Sequence, residues 1–198
     1  MKAKLTKAEQ TLRTRRAILD RARYLFTHQG YAATGTEEII DKLGITRGAL
    51  YHQFHNKQGV FKAVVGEAFD EVSAYITRKT QPHQDSWKQL VIGCHAFLEI
   101  AQRDDIQRLI FIEAPTVLEA EMLAEYDQPG FELLHNAIMV VEQEGKLKIL
   151  DTEGFARMVN GSLNELAAWI AQTKDIERLK IAQALIENLL TQYTTSNR

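Results

Sequence analysis

The segment from Gly44 to Gln58, GITRGALYHQFHNKQ, brings together side chains that bind polyanions. It holds an arginine, a lysine, a tyrosine and two histidines around one short apolar stripe. Arg47 can pair with a phosphate or bond bidentately to a guanine edge, while Tyr51 and His52 carry polar tips on flat rings. This combination favours a surface that contacts DNA over an ordinary solvated helix face.

Two short helices must position this segment, and the apolar spacing predicts both. The first begins at Thr36 and stops at Gly44, where glycine permits a sharp turn, and the second begins near Thr46. A longer helix over residues 11–29 precedes them and stops at Gly30. Together they predict a helix-turn-helix unit, in which the second helix lies in the major groove and the first crosses the backbone.

Other small and polar residues of this unit are also expected at the DNA. Thr36 presents a hydroxyl and free backbone amides at a helix N-terminus, which is an anion site. Gly48 lets the backbone approach the sugar-phosphate chain, and Ala49 can touch a thymine methyl group. Lys57 begins the next helix, from which its ammonium reaches a phosphate.

The distribution of charge agrees with this interpretation. Of 198 residues, 45% are hydrophobic and 25% charged, which is an ordinary globular composition, and the net charge is −2. Residues 1–80 hold 14 Lys and Arg against 8 Asp and Glu, whereas residues 81–198 hold 10 against 18. The asymmetry suggests that the first part faces a polyanion and the second does something else, although chance clustering on a solvated face would look the same.

Cysteine content and hydropathy predict a soluble protein of the cytoplasm. The single Cys94 has no partner for an internal disulfide, so a reduced thiol is expected. The basic N-terminal segment has no apolar core that leads to a cleavage site, so no secretory signal is expected. No stretch approaches the roughly 20 apolar residues of a membrane span.

Enzyme motifs are missing from the sequence. It contains no HExxH pair, no glycine-rich phosphate loop and no Gly-x-Ser-x-Gly elbow, so we expect neither catalytic residues nor a cofactor. His52 and His55 lie three positions apart and could share a metal ion. The motif instead places His52 toward DNA and His55 in a turn, so no metal site is expected.

The run GYAATGTEEIIDKLGITRGALYHQFHNKQGVF resembles the DNA-binding segment of TetR-type transcriptional regulators, over about residues 14–62. That pattern has a Gly-Tyr-x-x-Thr turn, then Gly-apolar-Ser/Thr-Lys/Arg-Gly-x-Leu-Tyr, then Phe and Lys. Ile40 stands where a smaller residue is usual, and Ala49 where a polar residue often reads the groove. In that family the matching residues contact operator DNA, mostly its phosphates: Thr36, Thr46, Arg47, Gly48, Tyr51, His52 and Lys57.

The resemblance implies an all-α protein of about nine helices. A three-helix, helix-turn-helix DNA-binding domain would occupy residues 1–58, and a helical effector-binding and dimerisation domain residues 59–198. Apolar spacing predicts the later helices independently, with Pro115 and Pro129 at breaks between them. The predicted ranges are 57–79, 85–102, 106–113, 116–126, 130–145, 152–173 and 176–193.

The last two predicted helices carry wide apolar stripes. Paired with those of a second copy they would form a four-helix bundle and place two recognition helices roughly 34 to 36 Å apart, on near-palindromic double-stranded operator DNA. The alternative is that both stripes are buried in the core of one protomer. The residues expected at the dimer interface are Phe155, Val159, Leu163, Leu166, Ile170, Ala182, Leu185, Leu189 and Tyr193.

The middle of the chain is rich in aromatic, Met, His and Cys residues that suit a pocket for a small apolar or amphipathic effector. The candidates, each of which could instead be core packing, are Trp87, Cys94, His95, Phe97, Phe111, Met122, Phe131, His135 and Met139. These features predict a homodimeric repressor that an effector releases from its operator. The alternative is a DNA-binding regulator without an effector, whose C-terminal domain is a protein-interaction module.

Overall fold

The computed structural model of the chain describes residues 6–173 and 176–195, which form nine helices and no strand. Leu147 and Thr194 make one isolated antiparallel bridge within this part of the chain. The prediction of an all-α fold with about nine helices is confirmed. The helices are α1 Lys7–Ala33, α2 Thr36–Ile40, α3 Arg47–Phe54, α4 Lys57–Thr80, α5 Ser86–Ile100, α6 104–117, α7 Ala120–Gln143, α8 Thr152–Ala171 and α9 Ile176–Thr191.

Side-chain caps explain where several helices begin. The hydroxyl of Thr6 accepts a hydrogen bond from the backbone N–H of Glu9 at the start of α1. Asn56 and Asp85 cap α4 and α5 in the same way, through carbonyl or carboxylate oxygens. Asp151 accepts from the backbone of α8. Each cap satisfies an amide that has no partner inside its helix, which fixes these boundaries locally.

The helices of the central region depart from the expected pattern at both prolines. Pro129 was expected at a break, and that prediction is wrong, because Pro129 lies inside α7. The proline removes the donor for the carbonyl of Glu125, but both residues are exposed, so water can replace the lost bond. Pro115 was also expected at a break, but it lies within the continuous helix α6, and the helical run is interrupted at residues 118–119 instead.

Helix α6 is not regular. A short α-helical turn, Asp104–Ile106, leads into a π-helical segment, Gln107–Glu113, and then into a last α-helical turn, Ala114–Val117. The π-helix is rare in proteins, and where it interrupts an α-helix it is found frequently at functional sites.

The buried residues form two apolar cores, and α4 contributes to the first. In the first, α1 to α4 pack around the rings of Phe26 and Phe61, whose centroids are 5.1 Å apart, and Ile106 and Leu109 of α6 join them. The second core lies among α5, α7, α8 and α9. The predicted boundary at residue 58 falls in the first turn of α4, so one helix connects both parts. No helix within the described ranges is long and apolar enough to cross a membrane.

Candidate DNA-binding surface and internal cavity

The helices α2 and α3 form the predicted turn. Gly44, in the connection between them, has φ +63°, a left-handed conformation that glycine adopts without strain. The hydroxyl of Thr46 accepts a hydrogen bond from the backbone N–H of Ala49 at 3.2 Å and so caps α3. Leu50 and Phe54 are buried and hold α3 on the first core. The opposite face of α3 is therefore left to solvent.

Arg47 and Tyr51 act as one unit on that exposed face. Nη2 of Arg47 donates to the hydroxyl of Tyr51 at 3.2 Å, and the guanidinium lies 5.3 Å from the centre of the ring. Glu37 of α2 is 3.3 Å from Nη1 of Arg47. The hydrogen bond with Tyr51 and the charge of Glu37 raise the pKa of Arg47, so the guanidinium stays cationic. This geometry presents a flat, charged donor group, which suits phosphate or a base edge.

The remaining predicted contact residues of α2 and α3 lie around this pair. His52 and Gly48 are exposed, and Ala49 is half-buried. Thr36 is the first residue of α2, whose N-cap is Gly35, and it is half-buried. All of them lie on or beside the exposed side of the turn, so the structure brings the predicted set together except for one residue.

The exception is Lys57, whose ammonium bonds to the backbone of the turn before α2. Its ammonium donates to the backbone carbonyls of Tyr31 and Thr34, both at 3.0 Å, and lies 4.2 Å from the centre of the Tyr31 ring. Two of its three N–H donors are therefore used to connect the end of α1 with the start of α4.

The first turn of α4 packs directly against the backbone at the end of α3. A Cβ atom at Gly59 would lie 1.9 Å from the backbone oxygen of Phe54, so glycine alone permits this approach. His55, between the two helices, has φ +65°, an uncommon conformation for a residue other than glycine. The orientation of α3 is therefore fixed tightly against the first turn of α4.

A second link joins α6 to the end of α1. The carboxylate of Glu113, which is buried, accepts a hydrogen bond from the backbone N–H of Tyr31 at 3.0 Å and pairs with Arg108 at 2.6 Å. Gly30 has φ +83°, and a Cβ atom there would lie 2.6 Å from Glu113 Oε1. The turn that precedes α2 is therefore built directly on the π-helical segment.

Charged side chains reinforce the contact between α1, α4 and α6. Arg23 pairs with Asp105 at 2.6 Å and with Glu71 at 2.8 Å, and Arg103 pairs with the same two carboxylates. Burial opposes ionisation of Glu71 and Asp105, but the hydrogen bonds from both arginines prevail and lower the pKa of each carboxyl group. This cluster stays ionised at neutral pH.

A cavity of about 300 Å³ lies between α4, α5, α6, α7 and α8. Its surface is mostly apolar, and polar groups of Ser73, Asp127, Asn160 and Asn164 reach it. Nδ2 of Asn160 donates to Asp127 Oδ2 at 3.2 Å. Sequence reasoning missed these four residues, although Asn160 and Asn164, four positions apart and directly after buried Val159 and Leu163, were a readable signal of polar groups near an inward face.

Three of the nine predicted pocket residues, Cys94, Phe97 and Phe111, line this cavity. Burial raises the pKa of the Cys94 thiol to about 12, so the group is neutral there. The other six lie elsewhere, on packing surfaces or near the exterior: Trp87, His95, Met122, Phe131, His135 and Met139. Among the described residues, no group of three or more His, Cys, Asp or Glu is arranged to hold a metal ion.

Comparison with known proteins identifies the family. The model for bacterial regulatory proteins of the tetR family matches residues 18–64, and the model for the tetracyclin repressor-like C-terminal domain matches residues 87–193, more than half of the chain. The chain belongs to the TetR family. It is a DNA-binding transcriptional regulator, as the resemblance of its helix-turn-helix segment implies.

Relatives of this TetR-family chain match it over nearly its whole length. The crystal structure of a TetR-family transcriptional regulator from Pectobacterium atrosepticum is 30% identical, with a TM-score of 0.82, and covers 98% of this chain and 100% of its own. The probable acrEF/envCD operon repressor of Escherichia coli K12 is 25% identical over 96% of this chain and 91% of its own length. The repressor BepR of Brucella suis is 27% identical, over 93% of each protein.

The last two helices of the TetR-family C-terminal domain place the predicted interface residues in two groups. Five of them are buried in the core of the protomer itself: Phe155, Val159, Leu163, Ile170 and Ala182. Leu185 is 52% exposed, and Leu166, Leu189 and Tyr193 are half-buried. The outer apolar face also includes Met158, which is 41% exposed, so the surface differs in part from the predicted stripe.

A shallow groove runs between α8 and α9 on this outer face. Two small residues, Gly161 and Ser162, line it beside larger apolar side chains, which allows another helix to approach closely. Its lining residues are Arg157, Met158, Gly161, Ser162, Glu165, Leu166, Leu185, Ile186 and Leu189.

Proposed function

We propose that the protein is a homodimeric transcriptional repressor that binds near-palindromic double-stranded operator DNA through α3. A small apolar or amphipathic effector in the cavity would release it. The observation that carries this proposal is the position of the cavity against α4, the helix that begins directly after α3. A molecule in the cavity therefore acts on the element that orients the DNA-contacting helix. We place this activity in the cytoplasm, where operator DNA is found.

For the DNA contacts we propose that Arg47 and Tyr51 bind together, with Ala49 facing a base. The exposure of the pair on α3 supports this role. Lys57 would use its third N–H donor for a phosphate while the other two hold the turn. The complete proposed set is Thr36, Thr46, Arg47, Gly48, Ala49, Tyr51, His52 and Lys57.

Dimerisation would use the outer face of α8 and α9. The exposed apolar residues there, together with small residues in the groove, support close packing against the same face of a second copy. From the predicted stripe, Leu166, Leu185 and Leu189 line this surface, and Met158 joins them, whereas the ring of Tyr193 packs against buried Phe155. Two copies related in this way would present two α3 helices roughly 34 to 36 Å apart, one turn of DNA.

Release would follow from a preference of the effector for a conformation that does not fit the operator. We propose that an effector displaces the segment between Trp87 and Met139 and tilts α4. Ile106 and Ile110 of α6 line the cavity, while Glu113 on the same helix bonds to the backbone of Tyr31. These contacts support a connection from the cavity to the turn before α2.

Gel-shift titration against DNA upstream of its own or a neighbouring gene tests the DNA contacts. Arg47→Ala with Tyr51→Ala should abolish specific binding, because the pair supplies both a charge and a hydrogen bond. Arg78→Ala is a matched control, since Arg78 is an exposed cation near the far end of α4. Specific binding that survives the double substitution would contradict the assignment.

The alternative is a regulator whose C-terminal domain binds another protein and takes no effector. The cavity favours the first function over this one, since a largely apolar pocket suits a small ligand and a protein-interaction module does not need one. Filling the cavity separates the two: Gly93→Leu, which places a side chain beside Thr80, should block release by an effector and leave a protein-interaction surface unchanged.

A further inference from the structure

The charge of the cavity surface is unbalanced. Among the described residues that line it, Asp127 is the one carboxylic acid, and none is Lys, Arg or His. An anionic molecule that entered would therefore lose its hydration without meeting a cation, and it would lie in the same space as a carboxylate.

Two polar side chains of the cavity lie beside Gly130, which also lines it. A Cβ atom at Gly130 would lie 3.8 Å from Asp127 Oδ1 and 4.0 Å from the hydroxyl oxygen of Ser73, so two oxygens border the space that the glycine leaves. Asn160 donates to Oδ2 of the same carboxylate and fixes its orientation. Asp127 Oδ1 and the hydroxyl oxygen of Ser73 can therefore both accept a hydrogen bond from a group placed beside Gly130.

Three other polar residues that line the cavity, Thr77, Thr80 and Gln89, donate hydrogen bonds within the protein. The hydroxyl of Thr77 donates to the carbonyl of Ser73 at 2.9 Å, and that of Thr80 to Ile76 at 3.1 Å. The amide of Gln89 donates to the backbone carbonyl of His83. The rest of the surface is apolar, with the rings of Phe97 and Phe111 in an edge-to-face contact at 6.3 Å.

We infer that the cavity selects a small molecule with an apolar body and a cationic ammonium head, which pairs with Asp127 beside Gly130. The carboxylate and the neighbouring side-chain oxygens accept hydrogen bonds from the head, and Phe97 and Phe111 contact the body. The volume of about 300 Å³ limits the ligand to a compact molecule. This inference rests on the proposed function, because it names the chemical class of the effector.

Three probes of nearly equal shape test the head group: 4-phenylbutylamine, 4-phenylbutanol and 4-phenylbutyrate. Isothermal titration of the full chain should show that the amine binds at least tenfold more tightly than the carboxylate, with the alcohol between them. Equal affinity, a preference for the carboxylate or no binding of the amine at millimolar concentration would overturn the inference.

Two variants assign the preference to one residue. Asp127→Asn keeps the shape of the side chain and should reduce the preference for the amine over the alcohol to less than threefold, while the affinity for the alcohol changes little. Glu125→Gln removes an exposed carboxylate two positions away on α7, outside the cavity, and should leave the preference as it is. If Glu125→Gln lowers the preference for the amine as much as Asp127→Asn does, the general negative charge of this region explains the preference and Asp127 does not.

A separate measurement distinguishes this inference from the proposed function. Anisotropy of labelled operator DNA is followed in the presence of 4-phenylbutylamine. Binding of the amine that depends on Asp127, without release of DNA, would refute release by an effector and leave the ligand class standing. Release that persists in Asp127→Asn at the same amine concentration would refute the role of Asp127.

Discussion

The carboxylate of Glu113 accepts a hydrogen bond from the backbone N–H of Tyr31, 82 positions earlier in the chain, at 3.0 Å. The same carboxylate pairs with Arg108 and leaves no room for a side chain at Gly30. One face of α6 therefore borders the cavity, through Ile106 and Ile110, and another holds the turn that leads into α2. The π-helical segment Gln107–Glu113 therefore contributes side chains both to the cavity and to this turn.

Glu113→Ala should lower the free energy of unfolding by about 2–4 kcal/mol, because it leaves Arg108 and the amide of Tyr31 without their partner. Glu113→Gln keeps an acceptor for the amide and should cost about half as much. Urea denaturation followed by circular dichroism measures both. Glu121→Ala, at an exposed carboxylate, is the control and should change stability by about 0.5 kcal/mol or less. Equal stability of the Ala and wild-type proteins would contradict a structural role for this bond.

Gly59→Ala should destabilise the DNA-binding part by about 3 kcal/mol, because the new Cβ would overlap the backbone oxygen of Phe54 at 1.9 Å. Gly66→Ala, on the same helix, is the matched control, since its Cβ would lie 3.4 Å from the ring of Tyr126 and alanine favours a helix. The melting temperature and the affinity for operator DNA should both fall for Gly59→Ala, and neither should fall for Gly66→Ala. Similar melting temperatures for the two variants would show that the junction adjusts.

The helix-turn-helix unit was readable from the sequence because its signals are local. Gly44 marks a turn, Thr46 caps the next helix, and Leu50 and Phe54 show which face is buried. Each depends on neighbours within a few positions, where spacing alone determines the contact. The bonds that Lys57 makes to the turn before α2 were not readable, since they depend on carbonyls 23 and 26 positions away.

The cavity was only partly predictable, because apolar composition does not tell a lining residue from a packed one. Phe97 and Phe111 line the cavity, whereas Phe131 and His135 stack on each other at 6.1 Å away from it. Asp127 reaches the cavity because α7 continues through Pro129 instead of breaking there. Whether a proline ends a helix depends on tertiary packing and solvent exposure, and neither can be read from local sequence.

Glu37→Gln should raise the affinity for operator DNA several-fold. Its carboxylate lies 3.3 Å from the guanidinium of Arg47 and would repel nearby phosphates, and both side chains are exposed. Arg47→Ala should lower affinity and reduce the slope of log K against log salt by about 1, the contribution of one phosphate contact. Anisotropy of labelled operator at several salt concentrations measures both. A salt slope that Arg47→Ala leaves unchanged would show that Arg47 makes no phosphate contact.

Leu185→Asp should convert a dimer into monomers and weaken operator binding at least tenfold, because it places a charge on the outer face of α9 where a second copy would pack. Leu150→Asp is the control, since Leu150 is fully exposed in the connection before α8 and outside the groove. Sedimentation velocity gives the oligomeric state, and a dimer that persists in Leu185→Asp would exclude this face as the interface.

The thiol of Cys94 should react very slowly with a thiol-specific reagent in the folded protein. The thiolate is the reactive form, and burial raises the pKa of this group from 9.0 to about 12, so at pH 8 its thiolate fraction falls about 1,000-fold. The chain has one cysteine, so absorbance at 412 nm after addition of an aromatic disulfide reports this site alone. Urea should restore rapid reaction, and Cys94→Ser defines the background. A folded rate within tenfold of the unfolded rate would show that the cavity opens to solvent often enough to admit the reagent.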